Sequence, residues 1–427
     1  AIASMKIVRL LPLLAAIVGT AAAGDWPGYR GPNHNGISDE KLPASAFPAG
    51  GPAEIWKAKT NTGFGSFAVA NGKALTLVNR EVDGNPMEVC VAFDASTGKE
   101  LWQADLWLGG DYGNGGGNAG TKDNSGGDGP RSTPAISDGK AYVIDAHLRI
   151  YCFDLESGDK VWSRDLMKDN SGVNIKWMNA AAPLIDGPLV FVAGGGKGQA
   201  LMALEKNSGE VVWAVEDDIM THATPIVGEV LGQRQVIFFT QSGLVALEPA
   251  NGSVLWRYAF PYKVSTAASP VIWEDIVYCS AGYGVGAGAV RIEKDGSGFK
   301  ATEIWRSENE NMNHWSTPVV LDGYLYGMFG FKKYGEGPLA CVDIRTGEEK
   351  WSEAGFGPGG VLLAGQQLLA LSDTGEIAIV EAKPDAFKEL ARTKLISGKV
   401  WSSPALANGK VFIRSTVEGG SFDLTAK

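Results

Sequence analysis

Short apolar runs, each closed by an acidic turn and answered by a tryptophan, recur along the chain. In Asp94 to Trp102 an acidic residue is followed four positions later by glycine and eight positions later by tryptophan. The spacing returns at Asp154/Gly158/Trp162, Glu205/Gly209/Trp213, Glu248/Gly252/Trp256 and Asp343/Gly347/Trp351. Each copy follows a β-rich run such as Val89-Cys90-Val91-Ala92-Phe93 or Ile150-Tyr151-Cys152-Phe153, so the pattern predicts strand, tight turn, strand. Asp or Glu opens the turn, Asn or Ser occupies its middle, and Gly takes the position where φ becomes positive. The tryptophan then falls at a fixed place on the next strand, where a large flat side chain fills the gap between neighbouring sheets.

A repeat of 43 to 60 residues overrides the two or three domains that 427 residues would otherwise suggest. Innermost strands are predicted to begin near Ser66, Ser132, Ala182, Thr224, Ser269, Thr317, Gly360 and Ser403, most as Ser/Thr/Ala-Pro, an apolar pair and a Gly turn. The expected fold is therefore all-β, an eight-bladed β-propeller of four-stranded antiparallel blades spanning 53–427. Glu54-Ile55-Trp56 ends a repeat that has no beginning, and Ser403 to Leu424 begins one that stops before its tryptophan strand. The two halves are predicted to form one blade, which closes the ring and leaves no free edge between first and last repeats. Trp56, Trp102, Trp162, Trp213, Trp256, Trp305 and Trp351 are assigned to the repeat framework. Two blades should be irregular: the one ending at Trp305, with a longer turn from Glu293 to Lys300, and the one through Glu381 to Leu390, without Gly or Trp.

Ahead of the repeats, Lys6 and Arg9 precede the apolar run Leu10 to Val18, and Ala21-Ala22-Ala23 offers small residues for cleavage. Residues 1–23 read as a secretory signal peptide with a native start at Met5, since the run is too short to span a membrane. Residues 24–52 read as an irregular arm that packs Trp26 and Tyr29 against the body, with His34 a weak candidate ligand. Export predicts a periplasmic or secreted location. Cys90, Cys152, Cys279 and Cys341 fall inside strands of different repeats and are expected as buried free thiols. The composition, 44% hydrophobic and 20% charged with 57 Gly, suits a turn-rich β protein. A formal net charge of −10 argues against binding nucleic acid.

The repeated AlaPheAspAlaSerThrGlyLysGluLeuTrp motif resembles the pyrroloquinoline quinone (PQQ)-like β-propeller superfamily. The start AspTrpProGlyTyrArgGlyProAsnHisAsnGly resembles, within it, the exported bacterial group similar to BamB, the outer-membrane-protein assembly factor. The resemblance covers residues 25 to 424 and implies two functional classes. One is a non-catalytic envelope scaffold that binds a protein or another ligand. The other is a PQQ-dependent dehydrogenase with the quinone and calcium on the propeller axis. The dehydrogenases hold their quinone with a disulfide between adjacent cysteines, and no two cysteines here are neighbours. The lipid-bearing Cys of BamB is also missing. The scaffold is the expected class, with no catalytic residues, metal or cofactor, acting as a monomeric ring without a transmembrane segment.

The remaining motifs dissolve in the repeat frame. Gly282 to Gly288 and Gly194 to Gly198 lack the helix N-terminus that would hold phosphate, so both read as hairpin loops. Gly109 to Gly129 carries Asp111, Asp123 and Asp128 without the spacing of a calcium loop, and reads as a surface loop. No nucleophile elbow singles out a hydrolytic triad. In a four-stranded blade the short, uniform turns share one face, and the variable loops 103–131, 194–199, 282–288 and 330–338 share the other. That face should gather Arg131, Trp177, Asn179, His222, His314, Trp315, Lys399 and Trp401 at the mouth of the axial channel. Cations and aromatic rings on an acidic protein suit an envelope protein partner or a small anionic or planar ligand.

Overall fold

A computed structural model describes residues 24–43, 47–48, 50–108, 112, 127, 129–308, 312–330 and 334–425. The leader lies outside the described residues, as do Asp111, Asp123 and Asp128 of the candidate calcium loop. Eight sheets form the blades of the propeller. Blades one to eight take their innermost strands from Ala68–Ala70, Ala135–Ser137, Leu184–Asp186, Ile226–Val230, Val271–Trp273, Val319–Leu321, Gly360–Ala364 and Ala405–Ala407. Each blade proceeds outward as an antiparallel meander. The outermost strand of blade eight is Ala53–Lys59, which pairs antiparallel with Glu418–Asp423. The ring therefore closes as predicted, by the N-terminal strand completing the last blade.

The repeat motif is an interlock between blades. The Asp94 carboxylate accepts the N–H groups of Ser96 and Thr97, both at 2.9 Å, which folds the turn that begins blade one's outer strand. Trp56 of blade eight lies on that turn and donates its indole N–H to Ala95 O at 2.9 Å. Trp102 does the same to Leu155 O of blade two, Trp162 to Lys206 O of blade three and Trp213 to Pro249 O of blade four. Glycine is required in each turn for two reasons. At Gly158 φ is +78°, and a Cβ would stand 2.7 Å from Trp102 Cδ2. The outer tryptophans pack against buried apolar residues of both adjoining sheets, as Trp56 does with Phe67, Phe93 and Phe412.

Where the repeat departs, so does the interlock. Blade five lacks the acid-to-glycine turn of the repeat, and Trp256 of blade four turns instead to Gln235 of its own blade, 2.6 Å away. The expected long turn from Glu293 to Lys300 is itself paired strand: Gly286–Asp295 and Gly298–Ser307 zip together to a tight turn at Gly296, because alternating residues there continue the ladder. Residues Gly286–Gly288, expected as loop, belong to the same strand. Blade seven lacks the tryptophan, and Trp351 of blade six packs on Phe387 while bonding Lys383 O.

Except where the arm reaches blades one and seven, inner strands have no ladder partner toward the axis, and hydroxyls at their start hold the neighbouring blade instead. Thr133 Oγ1 accepts from Ser66 N–H, Ser66 Oγ from Ser403 N–H, Thr224 Oγ1 from Ala182 N–H and Thr317 Oγ1 from Ser269 N–H. Each hydroxyl thus clasps the neighbouring blade at a point that would otherwise hold an orphaned buried donor. Arg414 adds a second clasp at the closure. Fully buried, it donates to Thr76 Oγ1, Leu77 O, Asn61 O and Gly63 O, tying blade eight to blade one.

The arm does more than lie against the body. Trp26 bridges Val69 of blade one, Pro27 O accepts from Ile136 N–H of blade two, and His34 reaches Ile185 O of blade three. Arg30 donates to Thr317 O and Pro318 O of blade six, and Glu40 accepts from Asn408 and Gly409 N–H in blade eight. Regular structure begins earlier than Ala53: Ile37–Ser38 adds a short parallel strand to the inner edge of Gly360–Ala364. The arm touches six inner strands or their turns, and so plugs the axial channel at the face of the short turns. His34, half-buried with its Nε2 bonded to a carbonyl, serves this packing.

Two outcomes follow for stability. Deleting 53–60 should abolish cooperative unfolding in a calorimetric scan, where loss of a dispensable tail would leave the transition in place. Trp213→Ala, at a buried member of the interlock, should lower unfolding free energy by about 3–5 kcal/mol in urea titrations, the range for emptying a buried aromatic site.

Candidate functional site

The arm lies across the face of the short turns, and aromatic side chains converge at the opposite face of the ring. Trp401, at the entry to blade eight, packs between Phe64 of blade one and Trp315 of blade six, with ring centroids 5.0 and 4.5 Å away. Trp315 meets His314 at 4.7 Å, and His314 meets Tyr283 at 5.3 Å. Tyr283 stacks on Trp177 at 6.3 Å, which in turn faces His222 at 6.3 Å. The chain of rings follows the rim from blade one backward through blade eight to the entry of blade three. Cations sit over it: Arg131 lies 5.2 Å from the Phe64 ring, Lys399 Nζ 5.2 Å from Trp401 and Lys176 Nζ 4.5 Å from Trp177.

Local backbone geometry aims these groups. Trp177 and Met178 both adopt left-handed φ, 65° and 61°, a conformation that costs a non-glycine residue free energy and is held here by its neighbours. His222 supplies one of those holds. Its Nε2–H donates to Lys176 O at 2.7 Å, and its Nδ1 accepts from Ser265 Oγ at 3.1 Å. Burial lowers its pKa to about 4, so the ring is neutral and both nitrogens are committed. His222 is a positioning residue. Asn179 is likewise spent inside the wall, donating to Ala181 O and accepting from Ala181 N–H. Arg131 donates to Gly127 O and Gly129 O at the end of the glycine-rich loop. His314 is fixed through its backbone, whose carbonyl accepts from Ala267 and Ala268 N–H. Its ring rests on Gly282, where a Cβ would come within 2.5 Å of Nδ1.

Of the eight residues assigned to the mouth, Arg131, Trp177, His314, Trp315, Lys399 and Trp401 form the aromatic and cationic rim. His222 touches it from behind, and Asn179 supports the backbone. Phe64 and Tyr283 belong to the rim too, although neither was assigned to it. Phe64 falls just before an inner strand, the signal that marked the others. Tyr283 sits within a glycine run, where its role as a ring on a hairpin tip was masked.

The wall also holds buried carboxyls, one of them, Asp145, paired with Arg149 at 3.7 Å. Asp373, buried beside the rim, accepts from Gly335 N–H at 3.0–3.1 Å and packs on Gly357. Burial pushes its carboxyl up to about 7, against the lowering pull of that N–H and of Lys399. Glu88 and Asp145 form a second buried group behind Tyr112. Glu88 accepts from Tyr112 OH at 3.2 Å and from Ala146 N–H at 3.1 Å. Burial, and then the neighbouring Asp145, push Glu88 well above the ordinary carboxylate range, and burial raises Asp145 to about 6. The four cysteines are free and buried in separate sheets. Among the described residues no three His, Cys, Asp or Glu side chains converge as a metal set, and no helix is long and apolar enough to cross a membrane.

Comparisons with known proteins agree with the fold. The family profile described as outer membrane protein assembly factor BamB matches residues 86–328, more than half of the chain. The chain is similar to BamB of Shewanella oneidensis, 26% identical over 266 residues that cover 59% of this chain and 64% of that protein. A shorter stretch of 137 residues is 28% identical to the quinoprotein alcohol dehydrogenase PedH of Pseudomonas putida, covering 30% of this chain and 22% of that one. These matches span less than two thirds of the relatives' length. Among solved structures, BamB from Moraxella catarrhalis superposes with a TM-score of 0.59 at 12% identity, covering 87% of this chain and 99% of that chain. Quinohemoprotein alcohol dehydrogenase from Comamonas testosteroni gives 0.64 at 14% identity, covering 96% and 82%. At such identities the likeness shows the propeller fold alone.

Asp373 gives the site a measurable pH dependence. Its raised carboxyl favours the folded state fully below pH about 4, and that contribution is lost as pH rises through about 7. Asp373→Asn keeps an oxygen for Gly335 N–H and removes the titration. The variant should therefore lose less stability than the parent between pH 5 and 8 in urea midpoints; parallel curves would show that the carboxyl is not buried as described.

Proposed function

The chain belongs to the family of the outer membrane protein assembly factor BamB, and from that premise we propose that it is an exported, non-catalytic binding scaffold of the bacterial cell envelope, located in the periplasm or secreted. Its binding site is the mouth of the axial channel on the face opposite the arm. One observation carries this reading: the arm closes one end of the channel, while the other gathers a continuous belt of aromatic rings crossed by Arg131, Lys399 and Lys176. Rings packed against one another lose little freedom when a ligand covers them. Cations over their faces attract negative charge into a cup on a protein whose net charge is −10. The mouth thus suits an envelope protein that inserts an aromatic or acidic anchor, or a small anionic planar ligand.

The second reading is a PQQ-dependent oxidoreductase, with a planar anionic quinone over Trp315 and Trp401 and its carboxylates near Lys399 and Arg131. Among the described residues, the carboxyls near the mouth do not fit the calcium that would accompany it. Asp373 is directed at a backbone N–H against Gly357, Asp145 is held by Arg149 and by the N–H groups of His147 and Arg149, and burial disfavours the ionised form of Glu88. A metal-binding carboxylate must be ionised and free to turn toward the ion. The aromatic belt alone is therefore the stronger guide.

His314→Ala combined with Trp401→Ala should abolish capture of envelope partners, or binding of a small ligand, while the melting transition remains cooperative. Lys140→Glu and Lys160→Glu, on the plugged face, should leave binding unchanged. Added PQQ and calcium should give no dye-linked alcohol or sugar oxidation; turnover would favour the second reading.

A further inference from the structure

Each blade ends in an outermost strand whose outer edge carries unpaired backbone N–H and C=O groups, a template for any extended chain. Seven of the eight edges are guarded by charge within the strand. Ala53–Lys59 carries Glu54, Lys57 and Lys59, Glu100–Leu108 carries Asp105, and Lys160–Asp165 carries Arg164. Val254–Ala259 carries Arg257, Gly298–Ser307 carries Lys300, Glu349–Glu353 carries Lys350, and Glu389–Lys394 carries Arg392. Blade three is the exception. Its outer strand, Val211–Val215, reads Val-Val-Trp-Ala-Val and has no charged residue, proline or glycine. Trp213 faces inward, while Val211 and Val212 are 37% and 48% exposed. The inner edge of this strand pairs with Leu201–Glu205, and among the described residues no strand pairs with its outer edge.

Charge returns immediately beyond the strand, and only with one sign. Glu210 precedes it, and Glu216, Asp217 and Asp218 follow. Glu216 is paired with Arg257 of blade four. Asp217 and Asp218 accept backbone N–H groups, from Gly198 and Ser242. Among the described residues no cation pairs with Glu210, Asp217 or Asp218. An uncharged open edge of five residues is thus bracketed by unneutralised carboxylates at both ends.

We propose that the outer edge of blade three is a strand-docking site. It takes an extended segment of a partner protein, with an uncharged β-branched centre of about five residues and basic residues at its ends. Backbone ladder bonds give affinity, the two valines select an apolar face, and the carboxylates fix the register. A second copy of this chain fits poorly: it would bring the same carboxylates to both ends of the ladder. The site lies on the side wall of the propeller and is independent of the axial mouth.

A fluorescent peptide with five alternating valine and threonine residues between lysine-arginine pairs tests this, read by anisotropy on the whole protein at low salt. The peptide should bind, and binding should weaken at least about tenfold in Val212→Lys, a solvent-facing change. Glu210→Gln with Asp217→Asn should weaken it and flatten its salt dependence. The same peptide N-methylated at alternate central residues, which cannot form the ladder, should not bind, and His314→Ala/Trp401→Ala should bind normally. Three results would each overturn the proposal: no binding of the parent peptide, equal binding of the N-methylated peptide, or Val212→Lys binding as the parent does with an unchanged melting temperature. A dimer in sedimentation that Val212→Lys dissolves would assign the edge to a second copy instead.

Discussion

An indole from one blade resting on the turn glycine of the next is the contact from which this molecule is assembled. It does three things at once. The ring fills the wedge that opens between radiating sheets, the indole N–H satisfies a turn carbonyl, and the glycine admits both by having no Cβ. The same contact closes the ring. Trp56 arrives from the N-terminal strand and settles on Gly98 of blade one as the other tryptophans settle on their neighbours. First and last blades are thereby joined by an ordinary interlock, reinforced by the antiparallel ladder of Ala53–Lys59 and by Arg414. Arg414 is an instructive addition: a buried cation answered only by neutral oxygens, fully solvated by the chain it fastens.

Much of this was legible in the sequence because the repeat makes the same observation five times in register. Acid, glycine and tryptophan at fixed spacing specify turn, φ and wedge together, so one copy could be checked against the others. The half repeats at Trp56 and Leu424 were readable as a closure for the same reason. Of the arm, the packing of Trp26 and Tyr29 against the body was legible, but its course across the inner strands was not. Residues 24–43 contain no period, and their partners are backbone carbonyls and N–H groups of distant inner strands, which no side-chain pattern announces. The extended ladder of blade five was missed because its Gly-flanked hairpin carries charged residues on a solvent face, a pattern shared with loops.

The rim shows the same division. Its members were found by position, immediately before the inner strands, and this located the tryptophans. Position alone could not separate a residue that faces the channel, such as Trp401, from one that holds the wall, such as Asn179. Nor could it find Asp373 or Tyr283, which enter from hairpin tips of the intervening blades. A funnel wall is built from several blades at once, and its chemistry follows from their juxtaposition. Plug, belt and cations therefore depend on the ring being closed, since Phe64 belongs to blade one and Trp401 to blade eight.

Native-state hydrogen exchange measures this dependence directly. If closure is an integral interlock, the ladder amides between Ala53–Lys59 and Glu418–Asp423 should exchange only through global unfolding, with the same free energy as core strand Gln367–Leu371 and the same denaturant dependence. Exchange of the closing ladder at markedly lower free energy, with the other blades still protected, would contradict the account and make the closure a removable clasp.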